Sequence, residues 1–147
     1  MLQLSTHFRY GLRTLVVLAA KPKDKLVPLK TLSKEQFISK KYLEIIYRAL
    51  GKAGIIRGVK GVGGGYELAV TPGNLTLLDI MNAVDGPINI LACTHGESVC
   101  RLVEKCPTRG TWKEFEDHIV SFLRSKTLQD LVSEYVESDK SFEGMFI

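Results

Sequence analysis

Three cysteines, Cys93, Cys100 and Cys106, fall within a span of 14 residues and are the only ones in the 147-residue chain. A thiolate is both a nucleophile and a soft metal ligand, so three of them in one short stretch suggest metal binding or thiol redox chemistry. Their intervening gaps of six and five residues are wider than the roughly two-to-four-residue pairs of zinc knuckles. Such spacing in a glycine-containing loop suits a larger inorganic core such as iron–sulfur. Arg101, Lys105 and Arg109 lie close in sequence, and neighbouring cations favour the thiolate. Three unrelated reduced thiols are the plain alternative. No export is expected, and an odd number of cysteines in such a chain argues against a disulfide framework.

A second chemistry sits in the other half of the chain. Residues 1–70 carry 13 Lys/Arg against 4 Asp/Glu, a balance of +9, whereas residues 71–147 carry 7 against 12, a balance of −5. A basic half beside an acidic half points to a polyanion met by the first half alone. That half holds a glycine run, Gly61, Gly63, Gly64 and Gly65, between two short apolar stretches. Strand, glycine-rich turn and strand after a pair of short helices is the pattern of a winged helix–turn–helix, and such a module reads duplex DNA.

The elements that position these groups follow from periodicity and punctuation. Phe8, Leu12, Leu15, Val16 and Ala19 recur at helical spacing over residues 5–20, with Ser5 or Thr6 as cap. A short helix is expected over Leu29–Glu35. A turn at Gln36–Ile38 leads to Ser39 as N-cap of a helix over Lys40–Lys52, ended by Gly54. That helix has Leu43, Ile46 and Leu50 on one face, with Lys40, Lys41, Glu44, Tyr47 and Arg48 largely on the others. The wing spans residues 55–70 with Lys60 at its tip. Thr76 and Asp79 form a capping-box-like start to a helix that Gly86-Pro87 stops. Residues 111–126 are expected to form a longer helix whose Trp112, Phe115, Ile119 and Phe122 recur three and four apart, a coiled-coil-like spacing read as a dimer seam, with intrachain core as the plain alternative. Thr127 to Asp130 restarts a helix, and the polar tail after Glu137 is expected to be mobile.

The fold expected is mostly α with a small β-wing. Residues 1–86 form the winged helix–turn–helix domain, 87–110 a cysteine loop, 111–137 the dimerisation and C-terminal helices, and 138–147 the tail. Within the first unit the expected DNA-reading residues are Ser39, Lys40, Lys41, Tyr42, Glu44 and Arg48 on the second short helix, and Arg57 and Lys60 on the wing. Lysines donate to guanine acceptors or phosphates, and a carboxylate at Glu44 accepts from cytosine. The plain alternative for Glu44 is an i, i+4 pair with Arg48. Tyr42 either reaches phosphate through its hydroxyl or packs on the first helix. Lys60 is expected on phosphate rather than in the minor groove.

These stretches carry a family resemblance. Ile38-Ser-Lys-Lys-Tyr-Leu-Glu44, Lys60-Gly-Val-Gly-Gly-Gly-Tyr66, Leu75-Thr-Leu-Leu-Asp-Ile80, Ala83-Val-Asp-Gly86 and the three cysteines resemble the IscR-like, Rrf-type transcription regulators from about Leu4 to Tyr135. The resemblance implies a homodimer on a double-stranded DNA operator. It also implies an iron–sulfur cluster on Cys93, Cys100 and Cys106, with 2Fe–2S favoured over 4Fe–4S. Two departures stand out. The first gap has six residues where the IscR pattern has five, and the fourth-ligand position three past the last cysteine is Arg109 instead of His. The aspartate that completes the site in nitric-oxide-sensing relatives aligns with Arg9. The remaining donors are His7, His95, Glu97 and Glu104, a water or a small thiol. His7 ranks first, because His95, two residues from Cys93, would strain a chelate.

The resulting expectation is a cytoplasmic regulator of iron–sulfur biogenesis genes, with cluster state controlling operator affinity. The alternative is a cluster-free regulator of the same fold, governed by thiol redox state or a partner protein. No Ser/His/Asp set, metal-helix motif or nucleotide fingerprint appears, so an enzyme is not expected. No apolar run approaches ~20 residues, so no membrane span or partner membrane is expected.

Overall fold

Ser5 starts the first helix as expected, its hydroxyl accepting from the Phe8 amide at 2.9 Å and satisfying one of the orphan donors of a helix start. The structure, a computed structural model, describes residues 2–96 and 100–145. Its elements are α1 (Thr6–Ala20), α2 (Leu29–Gln36), α3 (Lys40–Lys52), β1 (Ile56–Val59), β2 (Gly65–Leu68), α4 (Leu77–Val84), α5 (Arg109–Ser125) and α6 (Leu128–Met145), with short 3₁₀ turns between.

Helices α1 to α4 enclose one apolar core. Leu15, Leu32, Leu43, Leu50 and Ile80 are wholly buried in it. Ser39 caps α3 by accepting from the Tyr42 amide, and Gly54, at φ 75°, turns the chain out of the helix. Leu43, Ile46 and Leu50 face inward as expected, but Tyr47 joins them at 1% exposure. The expectation that Tyr47 lay off the buried face is therefore corrected. Its ring meets Tyr66 of the wing edge-on at 5.0 Å, so the core extends beneath the sheet, and burial pushes its phenol well above the usual range.

The wing is an antiparallel pair with Arg57 opposite Glu67 and Val59 opposite Gly65. It is not free-standing. Val27, just before α2, pairs with Tyr66 through two backbone hydrogen bonds of 2.9 Å, adding a third rung. Gly61 and Gly63 adopt positive φ at the tip, where glycine is needed for conformation. Gly64 and Gly65 serve a different purpose: a Cβ on Gly64 would strike the Val59 carbonyl oxygen, and one on Gly65 would lie 2.6 Å from the Val27 carbonyl carbon. Those two glycines thus permit close approach of backbone to backbone inside the protein.

Two capping boxes stand side by side. Thr76 and Asp79 cap α4 reciprocally, and Thr127 and Asp130 do the same for α6. Thr76 and Thr127 form an antiparallel bridge. Around it, the Leu77 amide donates to Lys126 and the Leu128 amide to Leu75, at 2.9 and 2.8 Å.

Helix α5 begins at Arg109, two residues earlier than expected, and α6 continues past Glu137 to Met145. Trp112, Phe115 and Phe122 on α5 are 43%, 40% and 57% exposed, while Leu123 of the same helix is buried in the core. Among the described residues, no helix is long and apolar enough to cross a membrane.

Candidate functional site

Two surfaces carry the chemistry. The first is the exposed side of α3 together with the wing. Ser39, Lys40, Lys41, Glu44 and Arg48 are all exposed on it. Glu44 pairs with Lys40, at 3.6 Å, and not with Arg48, so the carboxylate is held at the start of the helix beside the expected base-reading positions. The Tyr42 ring packs on the first helix: it stacks on His7 at 5.0 Å with the planes 7° apart and meets Tyr10 edge-on. Arg57 bonds Glu67 across the wing through Nε at 2.8 Å and through Nη2, which ties its guanidinium to the sheet. Lys60 is exposed at the tip beside fully exposed Val62. Between α3 and the wing runs a groove edged by Lys30, Lys40 and Lys60, with Glu44 in its wall. Cations around a groove beside a protruding helix are suited to phosphate and base-edge contact.

The second surface is the thiol loop. Cys93 lies in a 3₁₀ turn over Ala92–Thr94, and Cys106 follows another over Val103–Lys105. No cysteine forms a disulfide; Cys93 and Cys106 are half-buried and Cys100 is exposed. Cys106 Sγ lies 3.5 Å from Thr108 Oγ1. Hydrogen bonds from the Thr108 side chain and backbone, followed by Arg109, hold its thiol below the ordinary range. Charge alone was the sequence argument for thiolate; the hydroxyl two residues on contributes more.

Because the Cys106 thiol is depressed, more of it is thiolate at neutral pH. In the apo protein, Cys106 should alkylate faster than Cys93. Thr108→Val should shift the pH–rate profile of Cys106 upward and slow its reaction several-fold at pH 7, read peptide by peptide by mass spectrometry. An unchanged profile would remove Thr108 from this role.

The first half of the loop is bolted to α5 by two residues that sequence reasoning did not single out for that task. Arg109 Nε donates to the Cys93 carbonyl at 2.8 Å. Glu116, only 2% exposed, accepts from the Ile90 amide at 3.0 Å and from Thr94 Oγ1 at 3.2 Å. It also pairs with His95 Nε2 at 3.0 Å. Burial pushes the Glu116 carboxyl up, but the Ile90, His95 and Thr94 hydrogen bonds outweigh it and hold the group below its usual range. A glutamate on a helix normally reads as solvent-facing. The only hint here was its place on the helix that also carries the apolar stripe.

His7, the first-ranked fourth donor, stacks on Tyr42 and faces Asp85, with Nδ1 4.0 Å from Oδ1. His118 is on the exposed side of α5, 3.9 Å from Glu114. Three thiols outside any disulfide, one of them shifted toward thiolate, match an iron–sulfur core in donor type. Among the described residues, however, no three His, Cys, Asp or Glu side chains are gathered closely enough to hold a metal ion. The residue at position 97 lies outside the described residues.

Comparison with known proteins agrees with this geometry. Residues 4–134 match the Rrf2 family model, described as an iron-dependent transcriptional regulator. The HTH-type transcriptional regulator IscR of Cronobacter sakazakii is 32% identical over 132 residues, 90% of this chain and 81% of that protein. Among solved structures, CymR, the global cysteine regulator of B. subtilis, superposes with a TM-score of 0.78 at 32% identity, covering 91% of this chain and 98% of that one. IscR of T. potens superposes with a TM-score of 0.75 at 28% identity, covering 93% and 90%. With a winged helix–turn–helix whose second helix is exposed and basic, and a matching family model across nearly its whole length, the chain belongs to the Rrf2 family of transcriptional regulators and is IscR-like within it.

Proposed function

We propose that the protein acts as a homodimer on a double-stranded DNA operator, and that an iron–sulfur cluster held by Cys93, Cys100 and Cys106 controls its affinity. The observation that carries this reading is the placement of the thiol loop: it is fastened by Glu116 and Arg109 to α5, the helix that leaves Trp112, Phe115 and Phe122 uncovered. One recognition helix reads only a few base pairs, so specific binding calls for two, and the uncovered stripe is the surface on which a second copy packs. When bound, a cluster supplies a crosslink of the loop that iron supply, oxygen and redox state can make or remove.

The rest is done by the chain itself. Lys41 and Lys60 neutralise phosphate, the Lys40–Glu44 pair presents one donor and one acceptor to base edges, and α5 sets the distance between the two recognition helices. A coupling of about 1–3 kcal/mol changes occupancy by roughly 5–150-fold. The genes governed are those of iron–sulfur assembly, and the protein works in the cytoplasm.

Anaerobic reconstitution tests this. The full chain should take up iron and sulfide, develop visible absorption, and change operator affinity when the cluster is removed. The triple variant Cys93→Ala, Cys100→Ala, Cys106→Ala should do none of these. A colourless wild-type protein would overturn the cluster reading. It would leave the second reading, a cluster-free regulator controlled by thiol chemistry or a partner protein, which the activated Cys106 and the likeness to CymR support.

A further inference from the structure

Phe37 sits in the turn between α2 and α3, two residues before Ser39 caps the recognition helix. Its side chain is 96% exposed, and its backbone is left-handed, at φ 54° and ψ 42°. Among the described residues, no other non-glycine residue has positive φ. Resting on the DNA-binding reading, we propose that the Phe37 ring is a specificity contact that packs against a thymine methyl in the major groove of the operator.

Either property alone is ordinary. A single exposed apolar side chain needs no explanation, and helices commonly end on a left-handed residue. That residue is usually glycine or asparagine, because a Cβ crowds the neighbouring carbonyl oxygen. For a bulky residue the conformation is an outlier. At 96% exposure the ring buries almost nothing that would offset the strain. Strain of this kind persists where the surroundings over-determine it, and it gathers at functional positions.

This turn is over-determined. Arg13 Nη2 donates to the Gln36 carbonyl at 2.7 Å. The Phe37 amide donates to the Lys34 carbonyl at 3.4 Å and the Ile38 amide to the Ser33 carbonyl at 3.1 Å. The Ser33 hydroxyl closes the loop on the Ile38 carbonyl at 2.6 Å, and the Ile38 side chain is buried. With both neighbours fixed, the ring is held outward at the entrance to α3.

The surroundings say what it meets. Lys34, Lys40 and Lys41 are exposed along the same stretch, while Glu35, the carboxylate nearest in sequence, is held by Lys21 at 3.1 Å. An apolar protein surface docking here would have to strip water from those ammonium groups. Duplex DNA would not: it offers phosphates to the lysines and, in its major groove, thymine methyls with which phenylalanine makes apolar contact. A recognition helix presents its N-terminal residues to base edges, and two residues of chain keep Phe37 within about 7 Å of Ser39, Cα to Cα. Lys40 and Glu44 supply polar readout, and Phe37 adds a reader for a methyl group.

The probe for the test is a duplex selected by the wild-type full chain from a random-sequence pool. Phe37→Gly and Phe37→Asn both suit a left-handed turn, so both should melt at or above the wild-type temperature. Both should bind the selected duplex about 10-fold or more weakly, with an unchanged salt dependence, because the ring neutralises no phosphate. Replacing thymines by uracil, one position at a time, removes only the methyl. At one position in each half-site this should weaken wild-type binding by about 4-fold, or roughly 15-fold with both changed, and should not weaken either variant further. That coupling separates a base contact from a loosened turn. Variants that bind as tightly as wild type, variants still sensitive to uracil at those positions, or a wild type indifferent to uracil throughout would overturn the assignment and leave DNA binding intact. A wild type that selects no duplex and shows no salt-dependent binding would overturn both.

Discussion

Gly65→Ala should cost about 3 kcal/mol of stability or more and abolish specific DNA binding. The added Cβ would sit 2.6 Å from the Val27 carbonyl carbon, 2.7 Å from its oxygen and 2.8 Å from the Pro28 nitrogen. All three are backbone atoms, so no side-chain rotation relieves the clash. Relief requires parting β2 from the strand-like residue ahead of α2, which breaks both Val27–Tyr66 hydrogen bonds at about 1 kcal/mol each, with buried groups left unpaired beyond that. Tyr66 would also withdraw from Tyr47. The wing would then lose its fixed angle to α3. Gly51→Ala is the control: it lies within α3, and nothing is within 4 Å of its added Cβ, so it should stabilise by roughly 0.5–1 kcal/mol. Thermal melts of the two variants should move in opposite directions. A Gly65→Ala protein that melts like wild type would refute the close-approach reading of the wing.

Removing Lys41 and Lys60 together should weaken operator binding by about 10³-fold at ~0.15 M salt and flatten the salt dependence by about 3–4 log–log units. The reasoning is a count of phosphate charges: two lysines per protomer and four per dimer, each releasing nearly one counterion when it meets phosphate. These two are chosen because both are exposed and neither has a described acidic partner. Lys40 is engaged with Glu44 and Arg57 with Glu67. Arg57→Ala should accordingly have a smaller effect on the salt slope. Titrating a fluorescent operator duplex across salt concentrations measures all of this, and an unchanged slope in the double variant would show that α3 and the wing do not face phosphate.

What the sequence made legible was whatever is written locally. Ser39, Gly54, Thr76 and the Gly86-Pro87 pair mark helix ends by short-range chemistry, and α3 and α4 begin and end accordingly. The wing was readable because Gly61 and Gly63 are needed where the chain turns. What escaped depended on distant partners. Glu116 is 26 residues from Ile90, and nothing near it in sequence announces burial. Gly65 is crowded by residues nearly forty positions earlier. Tyr47 is drawn inward by the wing it supports. Helix α5 starts at Arg109 without a side-chain cap, so its onset carried no signal. The stretch after Glu137 is polar enough to pass for tail while continuing as helix.

The paired bridge at Thr76 and Thr127 has a mechanical consequence. Hydrogen bonds on both sides of that bridge rivet the root of α6 to the root of α4, which stiffens this joint against hinging. On the proposed dimer, torque generated at the far arm would then reach the reading head as rotation of one piece. The quantity open to adjustment would be the stride between two heads along the duplex, and operators differing only in the number of central base pairs are the substrates that would separate the proposed on and off states.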